Sequence, residues 1–212
     1  MIALVIATTG FAQEADTVKS RFMPTGVRVG LDAIAIIKSQ VQDDFNGYEL
    51  NADIDFYRYF LTVDVGRWER DFIGETDSYS NEGNYMRVGA DINFLKKDVE
   101  KNMFFFGARY GFGKFSDRLS INLNDPIWGT RTETYSNDDV KAKWIELTTG
   151  LRVKMYKFFW MGYTARYKFG LSTKGDSGLL PSDVPGYGRT DKDSTWGFNY
   201  QLFFRLPIPQ KK

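Results

Sequence analysis

Residues 195–206 read TWGFNYQLFFRL, and this segment alternates between two kinds of side chain. One set is aromatic or aliphatic and comprises Trp196, Phe198, Tyr200, Leu202, Phe204 and Leu206. The positions between them hold Gly197, Asn199, Gln201, Phe203 and Arg205. Successive side chains of a β-strand point to opposite faces, whereas a helix needs apolar residues three and four apart. The segment therefore predicts a strand of about ten residues with one continuous apolar face.

The same period of two recurs upstream. The predicted strands are residues 26–37, 48–56, 61–66, 86–94, 104–113, 145–154, 161–170 and 196–206. Pro24, Pro126, Pro181 and Pro185 fall in the links between them, where a missing N–H costs no sheet hydrogen bond. An even number of strands with this pattern predicts an all-β antiparallel fold.

Two architectures use such strands: a soluble sandwich or lipocalin-like barrel with an apolar interior, and a membrane barrel with an apolar exterior. The segments approach the roughly 9–11 residues that cross a bilayer as a tilted strand. Their polar faces mix glycine with charges of both signs, and aromatic residues crowd the strand ends, as in an interfacial girdle. These features favour an eight-stranded antiparallel up-and-down transmembrane β-barrel with a closed lumen.

The links between the strands alternate in length. Residues 67–83, 116–143 and 172–193 form long polar links, whereas the links after the second and sixth strands are only a few residues long. Short turns at one end and long loops at the other are typical of outer-membrane barrels. This pattern predicts long extracellular loops and places both termini in the periplasm of a Gram-negative bacterium.

Composition excludes most catalytic chemistry. The 212 residues include no histidine and no cysteine, and 28 basic residues nearly balance 27 acidic ones. A histidine-dependent triad, a histidine- or thiolate-ligated metal and a disulfide are therefore impossible. The balanced charge argues against a nucleic-acid partner. We expect no catalytic residues, no metal site and no cofactor.

The N-terminus predicts export. Residues 1–12 form a short apolar run with small residues, Gly10 and Ala12, at the positions that precede a signal-peptidase cut. No basic residue follows Met1, so the usual basic start of a signal is missing, and a buried strand or helix is the alternative. The predicted organisation is a signal peptide at 1–12, a periplasmic segment at 13–25, the barrel at 26–206 and a periplasmic tail at 207–212.

The inward faces of the predicted strands carry many charges. An eight-stranded barrel is just wide enough for side chains to fill it, and an unpaired buried ion costs several kcal/mol. We therefore predict a salt-bridged lumen formed by Arg28, Asp32, Glu49, Asp53, Asp55, Asp64, Arg87, Asp91, Arg109, Glu146, Arg152, Lys154, Arg166, Lys168 and Arg205. A proton or ion path through the same side chains is the alternative interpretation.

The last strand also carries a candidate recognition signal. Gly197, Tyr200 and Leu202 fit a polar-x-Gly-x-x-aromatic-x-apolar pattern, which resembles the signal by which the barrel-assembly machinery recognises a closing strand. That machinery is therefore an expected partner, at least during folding. The pattern ends ten residues before Lys212 rather than at a terminal aromatic residue.

Longer segments support a family resemblance. GVRVGLDAI, YELNADIDFYRYFLTVDVG, NYMRVGADINF, GARYGFGKFS, KWIELTTGLRVK and the last 28 residues resemble a Bacteroidota outer-membrane barrel family that is catalogued as a domain of unknown function. The resemblance covers residues 22–212 and implies a compartment but no catalytic residue. By strand count, the architecture is also similar to OmpA/OmpX-type barrels.

Two function classes follow from this interpretation. In the first, the barrel is an interaction subunit of an outer-membrane assembly or secretion complex, in contact with lipid and with other outer-membrane or periplasmic proteins. In the second, its long loops bind a ligand or a surface. The candidate loop contacts are Trp128, Tyr135, Leu179, Leu180 and Tyr187. The alternative is a purely structural role, in which these loops only cap the barrel mouth.

Overall fold

Antiparallel strands form the wall of the protein and close on themselves. The computed structural model describes residues 23–95, 98, 100–127, 129–175 and 179–209. Its elements are β1 (Gly26–Asp32), α1 (Ala33–Val41), β2 (Phe45–Phe56), β3 (Tyr59–Ile73), β4 (Asp77–Asn93), β5 (Met103–Asp125), β6 (Gly129–Tyr156), β7 (Phe159–Lys174), β8 (Asp183–Val184), β9 (Gly188–Arg189) and β10 (Ser194–Pro207). Four parts of the predictions fall outside the described residues: the proposed signal peptide at 1–12, residues 13–22 of the periplasmic segment, Trp128, and residues 210–212 of the tail.

The ring is an eight-stranded up-and-down barrel. Within the described residues, β1 to β7 and β10 pair in chain order, and β1 closes the ring by pairing with both β2 and β10. At this closure Leu31 lies opposite Leu50 on one side and Leu202 on the other. The strands β8 and β9 form a separate small hairpin. The predicted fold class is therefore confirmed.

The barrel has its apolar side chains outside and its charged side chains inside. Glu146, Thr164 and Arg166 on the inner face are at most 1% exposed, whereas Trp196 on the outer face is 62% exposed. We call the outward apolar residues the apolar belt; they include Val29, Leu31, Leu50, Leu61, Val63, Val65, Ile92, Phe104, Phe106, Tyr110, Phe112, Ile145, Leu147, Leu151, Val153, Tyr163, Phe169, Trp196, Phe198, Phe204 and Leu206. No helix in the described ranges is long and apolar enough to cross a membrane.

The first predicted strand, residues 26–37, is wrong in its second half. β1 ends at Asp32, and α1 begins at the next residue. The Asp32 side chain accepts a hydrogen bond from the Ile34 backbone N–H at 3.1 Å, which is a typical helix N-cap. Ala33 and Ala35 extended the apparent alternation, but Ile34 and Ile36 fill the intervening positions with apolar side chains and break it.

Two of the three long predicted loops are strands. β3 and β4 continue through residues 67–83 and are joined at 74–76. β5 extends to Asp125 and β6 begins at Gly129, so strands also occupy most of residues 116–143. Beyond the apolar belt the outward side chains of these hairpins are mostly polar, and buried inward positions such as Asn81, Asp117 and Asn137 are polar as well. The two-residue hydrophobic period that reveals a strand is therefore lost there.

Glycine allows close approach between strands at specific points of the wall. A Cβ on Gly89 of β4 would lie 2.0 Å from the Ala108 carbonyl oxygen on β5, whereas a Cβ on Gly113 would meet its nearest atoms at 3.5 Å. The first contact is with backbone that a closed ring holds in place. The second is an ordinary van der Waals distance.

Gly89→Ala is expected to lower the free energy of unfolding by about 1–3 kcal/mol, because the added methyl group overpacks the wall. Gly113→Ala is the matched control and should unfold like the parent. The measurement is urea unfolding of the barrel refolded in detergent. Equal midpoints for the two variants would contradict the prediction.

Candidate functional site: charged lumen and covered mouth

The middle of the lumen holds a network of ion pairs. The Arg87 guanidinium contacts Glu49, reaches Glu146 at 3.4 Å and lies 3.6 Å from Asp64. Arg166, from another side of the ring, donates to Glu146 at 2.9 Å and to Asp64 at 3.2 Å. All five residues are almost completely buried. Each of these carboxylates is therefore shared by at least two guanidinium groups across the lumen.

A second layer lies nearer the short-turn end of the barrel. Asp53 accepts from Arg28 at 2.8 Å and from Arg152 at 2.5 Å. Arg109 makes two parallel hydrogen bonds to Asp91, at 2.6 and 2.9 Å, and Arg152 reaches the same carboxylate at 3.4 Å. Bidentate pairs of this kind are the strongest and most directional ion pairs.

Aromatic rings flank the second layer. The Arg28 guanidinium lies 4.7 Å from the centre of the Phe60 ring, and that of Arg152 lies 4.9 Å from the centres of Phe105 and Phe203. Cations at this distance are attracted to the ring faces. The rings fill space that charged side chains alone would leave open.

The short-turn end is closed by Asp55. Its carboxylate accepts from Arg205 at 2.7 Å, from the Thr25 hydroxyl at 2.6 Å and from the Gly26 N–H at 2.9 Å. The contact joins the beginning of β1, the end of β2 and the end of β10. This layer therefore pins the seam at which the ring closes.

Three residues of the predicted network make other contacts. Asp32 caps α1 and accepts from the Asn199 amide at 2.6 Å. Lys168 donates to the carbonyl oxygens of residues 186 and 187. Lys154 does not belong to the lumen network: it pairs with exposed Glu100 at the barrel end, so its inclusion in the prediction was wrong.

Neutral side chains complete the network and were not predicted as members. They are Asn51, Tyr85, Trp144, Thr148 and Asn199. The Trp144 indole N–H, for example, donates to Glu146 at 2.7 Å. The alternation already assigns Asn51, Thr148 and Asn199 to the polar faces of the predicted strands, although they carry no charge. Tyr85 and Trp144 lie just outside the predicted strands at 86–94 and 145–154, so no sequence pattern indicated their inward position.

The opposite end of the barrel is covered by residues 179–193. Val184 and Tyr187 are at most 5% exposed and pack with Tyr85, Phe115 and Trp144 in one apolar cluster. Gly186 adopts a φ of 81°, and a Cβ there would lie 2.5 Å from the Tyr85 ring. We call residues 179–193 the plug segment. As a candidate loop contact Tyr187 was wrong, because its side chain faces the barrel interior.

Polar contacts anchor the plug segment to the strands. The Asn81 amide donates to the Asp183 carbonyl at 2.8 Å, and the Asp183 carboxylate lies 3.3 Å from Arg70. The Asn137 amide donates to the Leu179 carbonyl at 3.0 Å. Burial raises the pKa of the Asp183 carboxyl, and Arg70 offsets part of that rise. Of the other candidate loop contacts, Leu180 is 86% and Tyr135 is 48% exposed.

A cavity of about 240 Å³ remains between α1, the plug segment and β10. Its lining includes the cations Lys38, Arg70 and Lys168 and the aromatic residues Phe45 and Trp68. Residues 194–200 of β10 have no β1 partner here, because β1 ends at Asp32 opposite Gln201. The lumen is thus filled in its middle and covered at its mouth, with one recess beside the helix.

The candidate recognition signal lies on the closing strand. Tyr200 and Leu202 point outward from β10, whereas Gly197 points inward, where a Cβ would lie 2.7 Å from the Lys168 side chain. The backbone N–H of Tyr200 donates to Asp32 at 3.2 Å. Recognition of this Gly197, Tyr200 and Leu202 signal by the barrel-assembly machinery stays a prediction.

A closed antiparallel barrel with an apolar exterior and a filled, charged interior is the class that this geometry defines. The chain belongs to the family described as Domain of unknown function (DUF6048), whose model matches residues 1–211. No curated protein matches it. Among solved structures it is similar to the crystal structure of Neisserial surface protein A (NspA), with 12% identity and a TM-score of 0.43 over 87% of this chain and 96% of that one.

Removing one shared carboxylate from the network should be costly. Glu146→Gln leaves Arg87 and Arg166 without one of their counter-charges, and breaking a buried pair on one side costs about 3–5 kcal/mol. Urea unfolding in detergent should show the loss directly. Glu133→Gln, which removes the exposed pair with Arg131, should leave the midpoint unchanged. Similar midpoints for both variants would refute the structural role of the network.

Docking of the plug segment should depend on pH through Asp183. A carboxyl whose pKa is raised on docking favours the docked form below its ordinary pKa of about 3.9, and this contribution is lost as pH rises through the raised value. Amide hydrogen exchange of residues 182–190, corrected for intrinsic rates, should show protection falling over that range. Asp183→Asn should remove the dependence. Persistence of the same pH dependence in that variant would exclude Asp183 as its source.

Proposed function

We propose that the protein is a non-enzymatic integral outer-membrane barrel that acts as an interaction subunit of a larger envelope assembly, such as an outer-membrane protein assembly or secretion complex. The apolar belt supports the membrane location, because so much exposed apolar surface is stable only against lipid or protein. Every backbone group inside a bilayer needs a partner, and a closed ring of strands meets that need.

The observation that carries the proposal is the closure of the lumen. Paired arginines and carboxylates fill its middle, and the plug segment covers its mouth. A filled barrel of this size offers no wide path for solutes. The outer wall and the protruding hairpins are then the surfaces through which the protein acts.

One face of the wall is the best candidate for contact with a partner. On β7 and β10 the rings of Tyr163 and Phe198 stack with centres 6.0 Å apart, Tyr167 lies 4.8 Å from Trp196, and Trp196 stacks on Phe198. Aromatic residues give large contact area at low entropic cost and are enriched in interface cores. We assign the partner-binding surface to this aromatic face.

The test is purification in mild detergent with an affinity tag after Lys212, followed by mass spectrometry of stoichiometric companions. The double variant Trp196→Ala/Phe198→Ala should lose the companion. Phe104→Ala/Phe106→Ala removes a similar outward ring pair on β5, with centres 5.3 Å apart, and should keep it. A parent barrel that is strictly monomeric would overturn the proposal.

Conductance measurements address the closed lumen separately. The purified barrel in planar bilayers should show no steady open channel. A sustained ohmic conductance would favour the ion-path interpretation of the lumen charges and would remove the observation on which the interaction role rests.

An adhesion or ligand-binding role is the second candidate, favoured by the exposed tips. Ile127 at the end of the β5–β6 hairpin is 83% exposed, and Tyr135 and Leu180 are also exposed. Deleting residues 120–134 removes the tip but keeps Asn137, which donates to the Leu179 carbonyl of the plug segment, and Asp117, which accepts from Asn137. Loss of surface binding by cells that carry this deletion, with the barrel still folded, would support the second role.

The cellular setting is part of the proposal. The resemblance of the sequence supports a Bacteroidota outer membrane, and the short-turn end, where residues 26 and 207 lie opposite each other, is assigned to the periplasm. Protease added to intact cells should spare a tag placed after Lys212. Cleavage of the tag in intact cells would reverse the orientation.

A further inference from the structure

A line of cations crosses the outer wall at the edge of the apolar belt that lies nearer the covered mouth of the barrel. Lys114 on β5 lies directly opposite Lys141 on β6, and Lys141 lies directly opposite Lys174 on β7. Lys143 follows two residues below Lys141 on the same face. All four side chains are exposed. We call Lys114, Lys141, Lys143 and Lys174 the lysine row.

The arrangement is electrostatically unfavourable by itself. Cross-strand partners hold their Cβ atoms about 4.5–5.5 Å apart, and like charges directly opposite destabilise a sheet. Asp139 lies 3.3 Å from Lys114 and 3.4 Å from Lys141, so one carboxylate serves two ammonium groups. Among the described residues, Lys143 and Lys174 have no carboxylate partner within ion-pair distance. The row therefore has positive charge to spare for an external anion.

An apolar groove lies beside the row. Its volume is about 350 Å³, and its lining includes Tyr48, Val65, Met86, Phe112 and Lys114. Val65, Met86 and Phe112 lie side by side on neighbouring strands. Phe112 is two residues from Lys114 along β5, on the same face and farther from the barrel mouth. The groove is part of the apolar belt, so its occupant in a membrane is a hydrocarbon chain.

The two features are continuous. Phe112 lies opposite Lys143, and Lys114 stands at the edge of the groove, so an anion on the lysines would be attached directly above an apolar chain in the groove. Above the row the wall turns acidic, with Glu69 opposite Glu82. The lysine row is thus a band of positive charge between the apolar belt and this acidic pair.

We propose that the lysine row and the groove together bind one lipid with a phosphate headgroup, its phosphate on Lys114, Lys141 and Lys174 and one acyl chain in the groove. The inference rests on the membrane location in the proposed function. It adds a specific site and ligand class on β2 to β7, with residues other than those of the aromatic face on β7 and β10. Lysine near a bilayer surface attracts anionic lipid by an amount that accumulates over several residues.

The test uses the full chain in phosphatidylcholine nanodiscs that contain a minor fraction of phosphatidic acid. Native mass spectrometry then measures the phosphatidic acid that stays with the released barrel. Lys114→Gln/Lys141→Gln/Lys174→Gln should weaken retention of phosphatidic acid at least about tenfold, because the attraction of an anionic lipid accumulates over basic residues and three of them are removed. Arg131→Gln/Arg189→Gln/Lys192→Gln removes the same charge from exposed positions away from the belt and should retain lipid like the parent.

A second variant tests the groove without changing charge. Val65→Trp fills the groove and should reduce retention of phosphatidic acid while the barrel still folds and inserts. Glycerol 3-phosphate, which carries the headgroup without acyl chains, should not compete. Competition by it would show a phosphate site without a lipid component and would overturn the proposal.

The failures of the two proposals are distinguishable. A parent barrel that does not insert into nanodiscs would refute the membrane location. A barrel that inserts, but retains phosphatidic acid equally in the parent, the lysine variant and the control, would refute the lipid site alone.

Discussion

The pairing of charge inside the barrel is the constraint on which the rest of the structure depends. An unpaired ion in this interior would cost several kcal/mol, so every arginine that points inward needs a carboxylate at the same height. Glu146 meets this need for both Arg87 and Arg166, which come from strands on either side of it. The strand register is therefore fixed from inside by charge as well as from outside by apolar alternation.

The outer wall follows from the same inversion. In a globular protein the aromatic side chains would be buried and the charges exposed, whereas here Trp196 is exposed and Arg166 is buried. The wall can accept this arrangement because each strand alternates strictly between the two environments. The same alternation leaves the aromatic face and the lysine row as distinct regions of one surface.

Sequence reasoning was reliable where one face of a strand is apolar and the other is not. It predicted the eight strands of the ring and most of the inward charges from that contrast. It failed above the belt, because the outward positions of a strand such as β4 become polar there, as at Ser78, Ser80 and Glu82, so the contrast with the inward positions is lost. It missed α1, whose N-terminus is capped where the Asp32 carboxylate accepts the Ile34 N–H. It also assigned Tyr187 to the exterior, since no local pattern reports that a distant loop folds back onto Trp144. Periodicity gives the face of a residue but not its height in the barrel, so ion-pair partners could not be assigned.

The early end of β1 has a mechanical consequence. Below Asp32 the seam is held by a ladder of backbone hydrogen bonds between β1 and β10, but above it β10 faces a helix. The Asp32 carboxylate receives the Ile34 N–H, the Tyr200 N–H and the Asn199 amide, and so joins the helix to the edge of the sheet. Backbone hydrogen bonds between β1 and β10 therefore close the ring over only part of its height. We expect the ring to open most easily in the gap between β10 and β2 above Asp32, where side-chain contacts replace the backbone ladder.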